Sequence, residues 1–375
     1  MPTDTINGGF MCTNCSLMIK APVSDNCEWY LKKKKFKIKD NYGWRFFGPA
    51  SNLGPDYDLS LRHELHFDDW NLHLKNAEFV SIPCGNCIEC RLYYSREWAS
   101  RCMLEAMQYS HNWFLTLTYD DEHLPLNDLG NPTLRTEDFT NFIKRLRTKF
   151  EREKNFQGCR FYGNGEYGDE SLRPHYHVLL FNCPLDDLTE DIPFFDKETK
   201  KVILIQKKDQ DGLPMYFSQF VKDIWPYGNI IIGRVSWNSA AYVARYILKK
   251  QKGVNADFYK QFHLVPEFIR MSRKPGIGGA FFDINADKIL KDDKIYLYKK
   301  GGSFCCTPPR YFEKFCEKNL AYNRLLYDNK IKRQEKRKRR LLVDYYSSTL
   351  SKIERDNRQN FLNKVRSTIF KRNKV

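Results

Sequence analysis

No stretch of the chain approaches the ~18 consecutive apolar residues of a membrane-spanning helix. The first residues, Met1 to Phe10, have neither the basic n-region nor the apolar h-region of a secretion signal. These two absences predict a soluble protein of the cytosol with no membrane partner. In a reducing compartment the 12 cysteines are expected as thiols or metal ligands rather than as a disulfide framework. Acidic charge is also scarce, with 46 aspartates and glutamates against 62 lysines and arginines and a formal charge of +16. Such a balance favours a polyanionic partner, and an aromatic content of 15% adds rings on which unpaired bases can stack. Nucleic acid fits both features, whereas an anionic membrane fits only the charge. At 375 residues the chain is long enough for two or three structural units with a real core.

The cysteines cluster. Cys12 and Cys15 form one close pair, and Cys84, Cys87 and Cys90 form a run at equal spacing. Tight turns that present paired sulfurs can build a tetrahedral thiolate zinc site. The long gap between the clusters exceeds that of compact zinc ribbons, and a fifth cysteine leaves the ligand set open. Structural zinc and reduced thiols therefore stand as equal readings. Cys102, Cys159 and Cys183 lie in apolar patterns and read as packing residues.

Along the chain, the first eighty or so residues mix basic runs with aromatics and show no sustained period. Arg91 to Gln108 places Leu92, Ser95, Ala99, Cys102 and Ala106 on one helical stripe, with Arg91, Arg96 and Arg101 expected to point outward. Trp113 to Tyr119 reads as a central strand and Thr136 as the start of a helix with Phe139, Phe142, Ile143, Leu146 and Phe150 on its apolar face. Arg160 to Tyr162 and His175 to Phe181 read as paired strands, Phe217 to Ile224 as a short helix and Asn229 to Val235 as a further strand. A helix from about Ser239 to Lys250, capped by Asn238, follows. The order predicts an α+β fold with a mostly antiparallel central sheet and flanking helices. Expected regions are a Cys-rich N-terminal part (1–110), a central α+β domain (111–252), an accessory part (253–318) and a basic helical tail (319–375). The tail peaks at Lys330 to Arg340; it reads equally as a solvated segment or as a non-specific phosphate grip.

Within this order lies a chemically coherent set. His175 and His177 are separated by one residue, and in a strand such residues share a face and can hold one cation. Glu166, on the preceding arm of the predicted hairpin, can reach the same cation by antiparallel pairing, although a solvated hairpin carboxylate is the plainer reading. Mixed nitrogen and oxygen donors suit magnesium or manganese. Tyr242 and Tyr246 sit four apart in a predicted helix, with Cβ atoms roughly 5–6 Å apart, so both phenols can reach one phosphate. Lys249 falls on the same face, either as a phosphate contact or as an ordinary basic helix end. A histidine pair or a tyrosine pair alone commonly reflects strand composition or packing; their order on one chain gives them weight. Gly163 to Gly168 also matches G-x-G-x-x-G, but a strand rather than a helix follows, so the glycines read as turn residues.

Three segments carry a resemblance: Phe114-Leu115-Thr116-Leu117-Thr118, Arg173-Pro174-His175-Tyr176-His177 and Tyr242-Val243-Ala244-Arg245-Tyr246. Their order resembles that of the HUH endonuclease superfamily. With the Pro83 to Arg91 leader and Trp98 to Arg101, the chain resembles the replication initiation proteins of the Microviridae, in particular the gokushovirus branch. The resemblance, from about Pro83 to Lys250, implies an enzyme of rolling-circle replication. It would nick and rejoin origin DNA through a 5′-phosphotyrosine, with single-stranded DNA, replicative-form DNA and host replication proteins as partners in the host cytoplasm. It implies His175 and His177 as metal ligands and both tyrosines as nucleophiles. Competing readings are a non-catalytic, zinc-dependent nucleic-acid-binding protein and a single-tyrosine relaxase or transposase.

Overall fold

The computed structural model describes residues 16–22, 44–49, 63–67, 72–82, 88–168, 171–196, 199–245, 257–299, 301–317 and 319–347. Its contacts define two compact units, one within Phe10–Arg91 and the other from Leu92 onward. The first is a four-stranded antiparallel sheet of β1 (Ser16–Pro22), β2 (Trp44–Pro49), β3 (His63–Phe67) and β4 (Leu72–Ile82), in the order β2-β1-β4-β3. Two of its pairings carry register shifts, at Ile19/Lys20 and at His63/Leu65. Such interruptions weaken the alternation that marks a strand in sequence.

The second unit begins in α1 (Ile88–Ala106) and is organised on a five-stranded sheet. Its strands are β5 (Asn112–Thr118), β6 (Arg160–Tyr167), β7 (Pro174–Phe181), β10 (Ile230–Arg234) and β11 (Phe268–Met271), in the order β10-β5-β7-β6-β11. Every neighbouring pair is antiparallel. The α+β expectation and the predominantly antiparallel sheet hold. Two elements lay outside it. Between β7 and β10 a separate hairpin of β8 (Ile192–Asp196) and β9 (Lys201–Ile205) projects five exposed apolar side chains. The outer strand β11 comes from beyond residue 253 and pairs with β6.

Both faces of this sheet are covered. On one, α2 (Thr136–Lys154) buries the predicted stripe of Phe139, Phe142, Ile143, Leu146 and Phe150 against Leu115, Leu117, Tyr176, Val178 and Leu180. At about 1.5–3 kcal/mol for each large apolar side chain removed from water, this stripe is the main attachment of α2. The helix has acidic Glu137 and Asp138 in its first turn and basic Arg152 and Lys154 in its last, both complementing its dipole. It ends at Asn155, whose φ of 49° is left-handed. Short α3 (Gln219–Lys222) packs Phe220 and Val221 into the same core, its first turn capped by Ser218. On the other face, α1, α4 (Trp237–Arg245) and α6 (Gly279–Asp292) enclose Tyr162, Leu179 and Phe181.

Several local expectations are corrected. Gly163 and Gly165 lie inside β6, not in a turn. A Cβ on Gly163 would stand 2.8 Å from the Phe139 ring and 2.9 Å from the His177 carbonyl oxygen, and one on Gly165 would stand 2.8 Å from the Phe268 ring. Their absence of side chain lets aromatic rings lie on the strand. Arg101 does not point outward: it is buried between the rings of Trp98 and Tyr311, donating from Nε to the Ile277 carbonyl at 3.0 Å. Asn238 does not cap α4; its amide binds the Asp211 carboxylate at 3.0 Å. The cap is supplied by Ser236, whose Oγ accepts the Ser239 N–H at 3.2 Å while Ser239 Oγ accepts the Ser236 N–H at 2.8 Å. Cys159 and Cys183 are not separate packing residues but a disulfide, joining the start of β6 to the segment after β7.

After α5 (Asp257–Gln261) and α6, the hairpin of β12 (Ile295–Lys299) and β13 (Gly302–Cys306) leads to α7 (Glu313–Cys316) and α8 (Leu320–Ser347). The first turns of α8 dock by Leu326 and by Asn329, which donates to the Leu290 carbonyl at 2.6 Å. Lys330 pairs with Glu313 and Arg333 with Asp293, so part of the basic run serves helix packing.

Replacement of Gly163 by alanine is expected to destabilise the protein by about 1–3 kcal/mol through overpacking against Phe139. Urea unfolding monitored by tryptophan fluorescence checks this; an unchanged midpoint would mean that the Phe139 ring yields freely.

Candidate metal centre and its tyrosine

The candidate site is produced by register. Antiparallel pairing sets Glu166 opposite His175 and Asn164 opposite His177, and on the other side Thr116 opposite His177 and Thr118 opposite His175. Because side chains alternate along a strand, all six lie on the face that α4 crosses. One ligand atom each from Glu166, His175 and His177 lies within 4.8 Å of the others. Among the described residues, no other group of three His, Cys, Asp or Glu side chains converges in this way.

The donor chemistry fits a cation. Glu166 Oε1 stands 2.6 Å from His175 Nε2 and 3.3 Å from His177 Nε2. The glutamate is fully buried, which alone would push its carboxyl pKa up, but hydrogen bonds and charge from the two histidines outweigh this and bring it to about 2. The site therefore holds a carboxylate, not a carboxylic acid. His175 Nδ1 lies 3.0 Å from the Arg173 carbonyl oxygen, a group that only accepts. With an acceptor at each nitrogen, this ring needs a positive charge between Nε2 and Glu166, supplied by a proton or by a metal cation. His177 Nδ1 is held at 3.1 Å by Thr116 Oγ1, which fixes the ring with Nε2 towards the carboxylate. Two imidazoles and one carboxylate suit a divalent cation with positions left over for substrate or water.

Helix α4 brings a phenol to this group. Ala240, Val243 and Ala244 are buried against the sheet, and their small size allows close approach. Tyr242, on the neighbouring part of the helix surface, is half-buried with its ring centroid 5.0 Å from that of His177 and 6.0 Å from that of Phe114. Phe114 in turn stacks on His177 at 5.5 Å. The three rings form a triangle in which each neighbours the other two, and Tyr242 stands beside the Glu166, His175 and His177 group.

A family model for "Replication-associated protein ORF2/G2P" matches residues 112–251, the segment that contains this whole arrangement. The replication-associated protein ORF2 of Spiroplasma virus 4 is 38% identical over 293 residues, 77% of this chain and 85% of its own length. The replication-associated protein VP4 of Bdellovibrio phage phiMH2K is 35% identical over 265 residues, 70% of this chain and 76% of its own. The chain belongs to the replication-associated proteins of the Microviridae. A more distant relative, the replication-associated protein ORF4 of Chlamydia phage 1, is 28% identical over 326 residues, 83% of this chain and 76% of its own. No solved structure matches the chain.

Of the residues singled out in sequence, this Microviridae protein brings together Glu166, His175, His177 and Tyr242. Tyr246 and Lys249 lie outside the described residues, as do Cys12, Cys15, Cys84 and Cys87; Cys90 is buried at the start of α1. Three supporting groups escaped the sequence reading: Thr116, the Arg173 carbonyl and Asn164, whose amide donates to Glu166 Oε2 at a long 3.5 Å. Thr116 was legible as part of the Phe114 to Thr118 motif, but its partner depends on which residue of β7 lies opposite.

Manganese is expected to bind the full chain and to raise its melting temperature, and EDTA to reverse the rise. Isothermal titration should show binding lost in Glu166→Gln and weakened about 10-fold in Thr116→Val, which leaves the ligands but frees the His177 ring. Equal binding by Glu166→Gln and the parent would remove the carboxylate from the ligand set.

Proposed function

We propose that this protein initiates rolling-circle replication by nicking phage DNA at an origin and later rejoining it, through a covalent 5′-phosphotyrosine intermediate. The observation that carries the reading is the placement of Tyr242 5.0 Å, ring to ring, from a histidine of a buried His-His-Glu group. Membership of a replication-associated family supports it, as does the antiparallel sheet, which suits an HUH-type nuclease domain over roughly the matched segment.

In this reading Glu166, His175 and His177 hold magnesium or manganese. The cation supplies Lewis-acid polarisation of a non-bridging phosphate oxygen. The Tyr242 phenol attacks the scissile phosphorus and loses its proton. The bond from phosphorus to the 3′ oxygen breaks; that oxygen takes up a proton and leaves as a 3′-hydroxyl able to prime synthesis, while the 5′ phosphate stays on tyrosine. Glu166 and His177 are buried, which would shield the bound group from bulk water on their side. Tyr246 is assigned as the second nucleophile, which allows cleavage and rejoining to alternate, and Lys249 as a phosphate or leaving-oxygen contact. Single-stranded DNA, the origin of replicative-form DNA and host replication proteins are the assigned partners, in the host cytoplasm. A structural zinc site would take four of Cys12, Cys15, Cys84, Cys87 and Cys90, with reduced thiols as the alternative reading.

Incubation of the protein and manganese with single-stranded origin DNA is expected to give an adduct that survives denaturant, with the modified peptide mapped to the 237–250 segment by mass spectrometry. The adduct should disappear with EDTA and in the Tyr242→Phe/Tyr246→Phe double variant. Loss in only one of the two single variants would assign single-tyrosine chemistry. A protein that binds this DNA tightly but forms no adduct under any metal would be a non-catalytic binding protein instead.

A further inference from the structure

A second feature of this unit lies at the other end of β6. A cavity of about 630 Å³ opens beside the β6–β11 edge, lined by Arg147, Arg160, Phe161, Ser272, Arg273 and Lys274 together with backbone of the 158–159 turn, and no carboxylate is in its wall. Its volume falls in the range of sites for molecules of nucleotide size.

Two of the arginines, Arg147 and Arg160, are held by hydrogen bonds, whereas Arg273 and Lys274 are exposed. Arg147 reaches across from α2, and its Nη2 donates to the Cys159 carbonyl at 3.2 Å and to Ser272 Oγ at 3.3 Å, with Nε 3.3 Å from the same carbonyl. Its guanidinium carbon sits 5.4 Å from the centroid of the Phe161 ring. These partners orient the charge without neutralising it. Among the described residues no carboxylate pairs with Arg147, Arg273 or Lys274. Arg160 does have a counter-ion, Glu105, and its other arm donates to the Pro275 carbonyl at 2.7 Å. Burial first, and the nearby Arg160 charge second, lower the Arg147 pKa, and a bound anion offsets both. Arg147, a pre-oriented planar donor with unspent charge, is the feature a phosphate site needs, and the Phe161 ring adds an aromatic wall.

We propose that this cleft is a second phosphate-binding subsite, which grips the DNA backbone at a distance from the His-His-Glu group. Arg160 and Glu166 are six residues apart on one strand, which at strand rise is roughly 20 Å. Arg147 and Phe161 lie on the α2 side of the sheet and the His-His-Glu group on the α4 side, so a DNA strand that touches both passes around the sheet edge and spans more than this separation. The proposal rests on DNA being the substrate but not on the nicking chemistry.

The test therefore uses the full chain carrying Tyr242→Phe/Tyr246→Phe, in EDTA, with fluorescence anisotropy as the readout. A long single-stranded oligonucleotide and a short one confined to the nick position are titrated over a range of salt. Adding Arg273→Ala/Lys274→Ala, whose side chains are exposed, is expected to weaken the long DNA whatever its sequence. The slope of log K against log salt should become shallower by about 0.7 for each phosphate contact removed. Arg147→Lys, which keeps the charge but not the fork, should show a smaller loss of affinity for the long DNA. Affinity for the short DNA should stay at the parent value. An unchanged slope with the long DNA overturns the proposal. So does saturable binding of inorganic phosphate or a mononucleotide that the variants abolish while DNA affinity is untouched, since that outcome makes the cleft a site for free nucleotides. Failure of the nicking reading leaves each of these readouts intact.

Discussion

The Glu166 carboxylate, fully buried and set against two imidazole nitrogens across one strand pair, is the interaction on which the candidate site depends. An isolated carboxylate in that position would incur several kcal/mol of desolvation and would become neutral. It remains ionised because His175 and His177 stand opposite in a register that places all three groups on one face. A slip of one residue in β6 would move the carboxylate to the face packed by α2, among Phe139, Tyr176 and Phe268. The hydrophobic pattern that specifies the register is therefore also what assembles the site.

The second requirement is that a helix pass close over these groups. Small buried residues on α4 let it approach, and the reciprocal Ser236 and Ser239 bonds fix where it begins. Since each residue of a helix turns the side chain by about 100°, fixing the start fixes which residue faces His177. Gly163 and Gly165 do the corresponding work on the opposite face. Without side chains there, the rings of Phe139 and Phe268 lie directly on β6 and hold the strand that carries Glu166.

The excess of basic residues is divided between structure and surface. Arg101 is enclosed by aromatic rings, Arg160 closes a pair with the buried Glu105, and Lys330 and Arg333 tie α8 to α7 and to the end of α6. Arg147, Arg273 and Lys274 are different, because they line a cavity and have no acidic partner among the described residues. Net charge alone does not separate these two populations; the distances to neighbouring carboxylates do.

Where the hydrophobic period was long and regular, the chain itself already specified the element. The stripe from Phe139 to Phe150 can bury five large side chains only as a helix, and the apolar run from His175 to Phe181 is flanked by proline and asparagine as a strand should be. The His-x-His spacing and the position of Tyr242 likewise followed from local periodicities, because two residues sharing a face is a property of a strand or helix before it packs. Arg101, Asn238 and the glycines of β6 were misread because their roles belong to partners distant in sequence: Ile277 and Tyr311, Asp211, and Phe139 and Phe268. Thr116 as the orienting group of His177, and β11 as the outer strand, were hidden for the same reason. Local chain stiffness determines which elements form and which faces they present, and that much is written in residue order. Which faces meet, and hence whether a carboxylate, two imidazoles and a phenol share one space, is decided only when strands far apart in sequence pair in a single register under the pressure of burial.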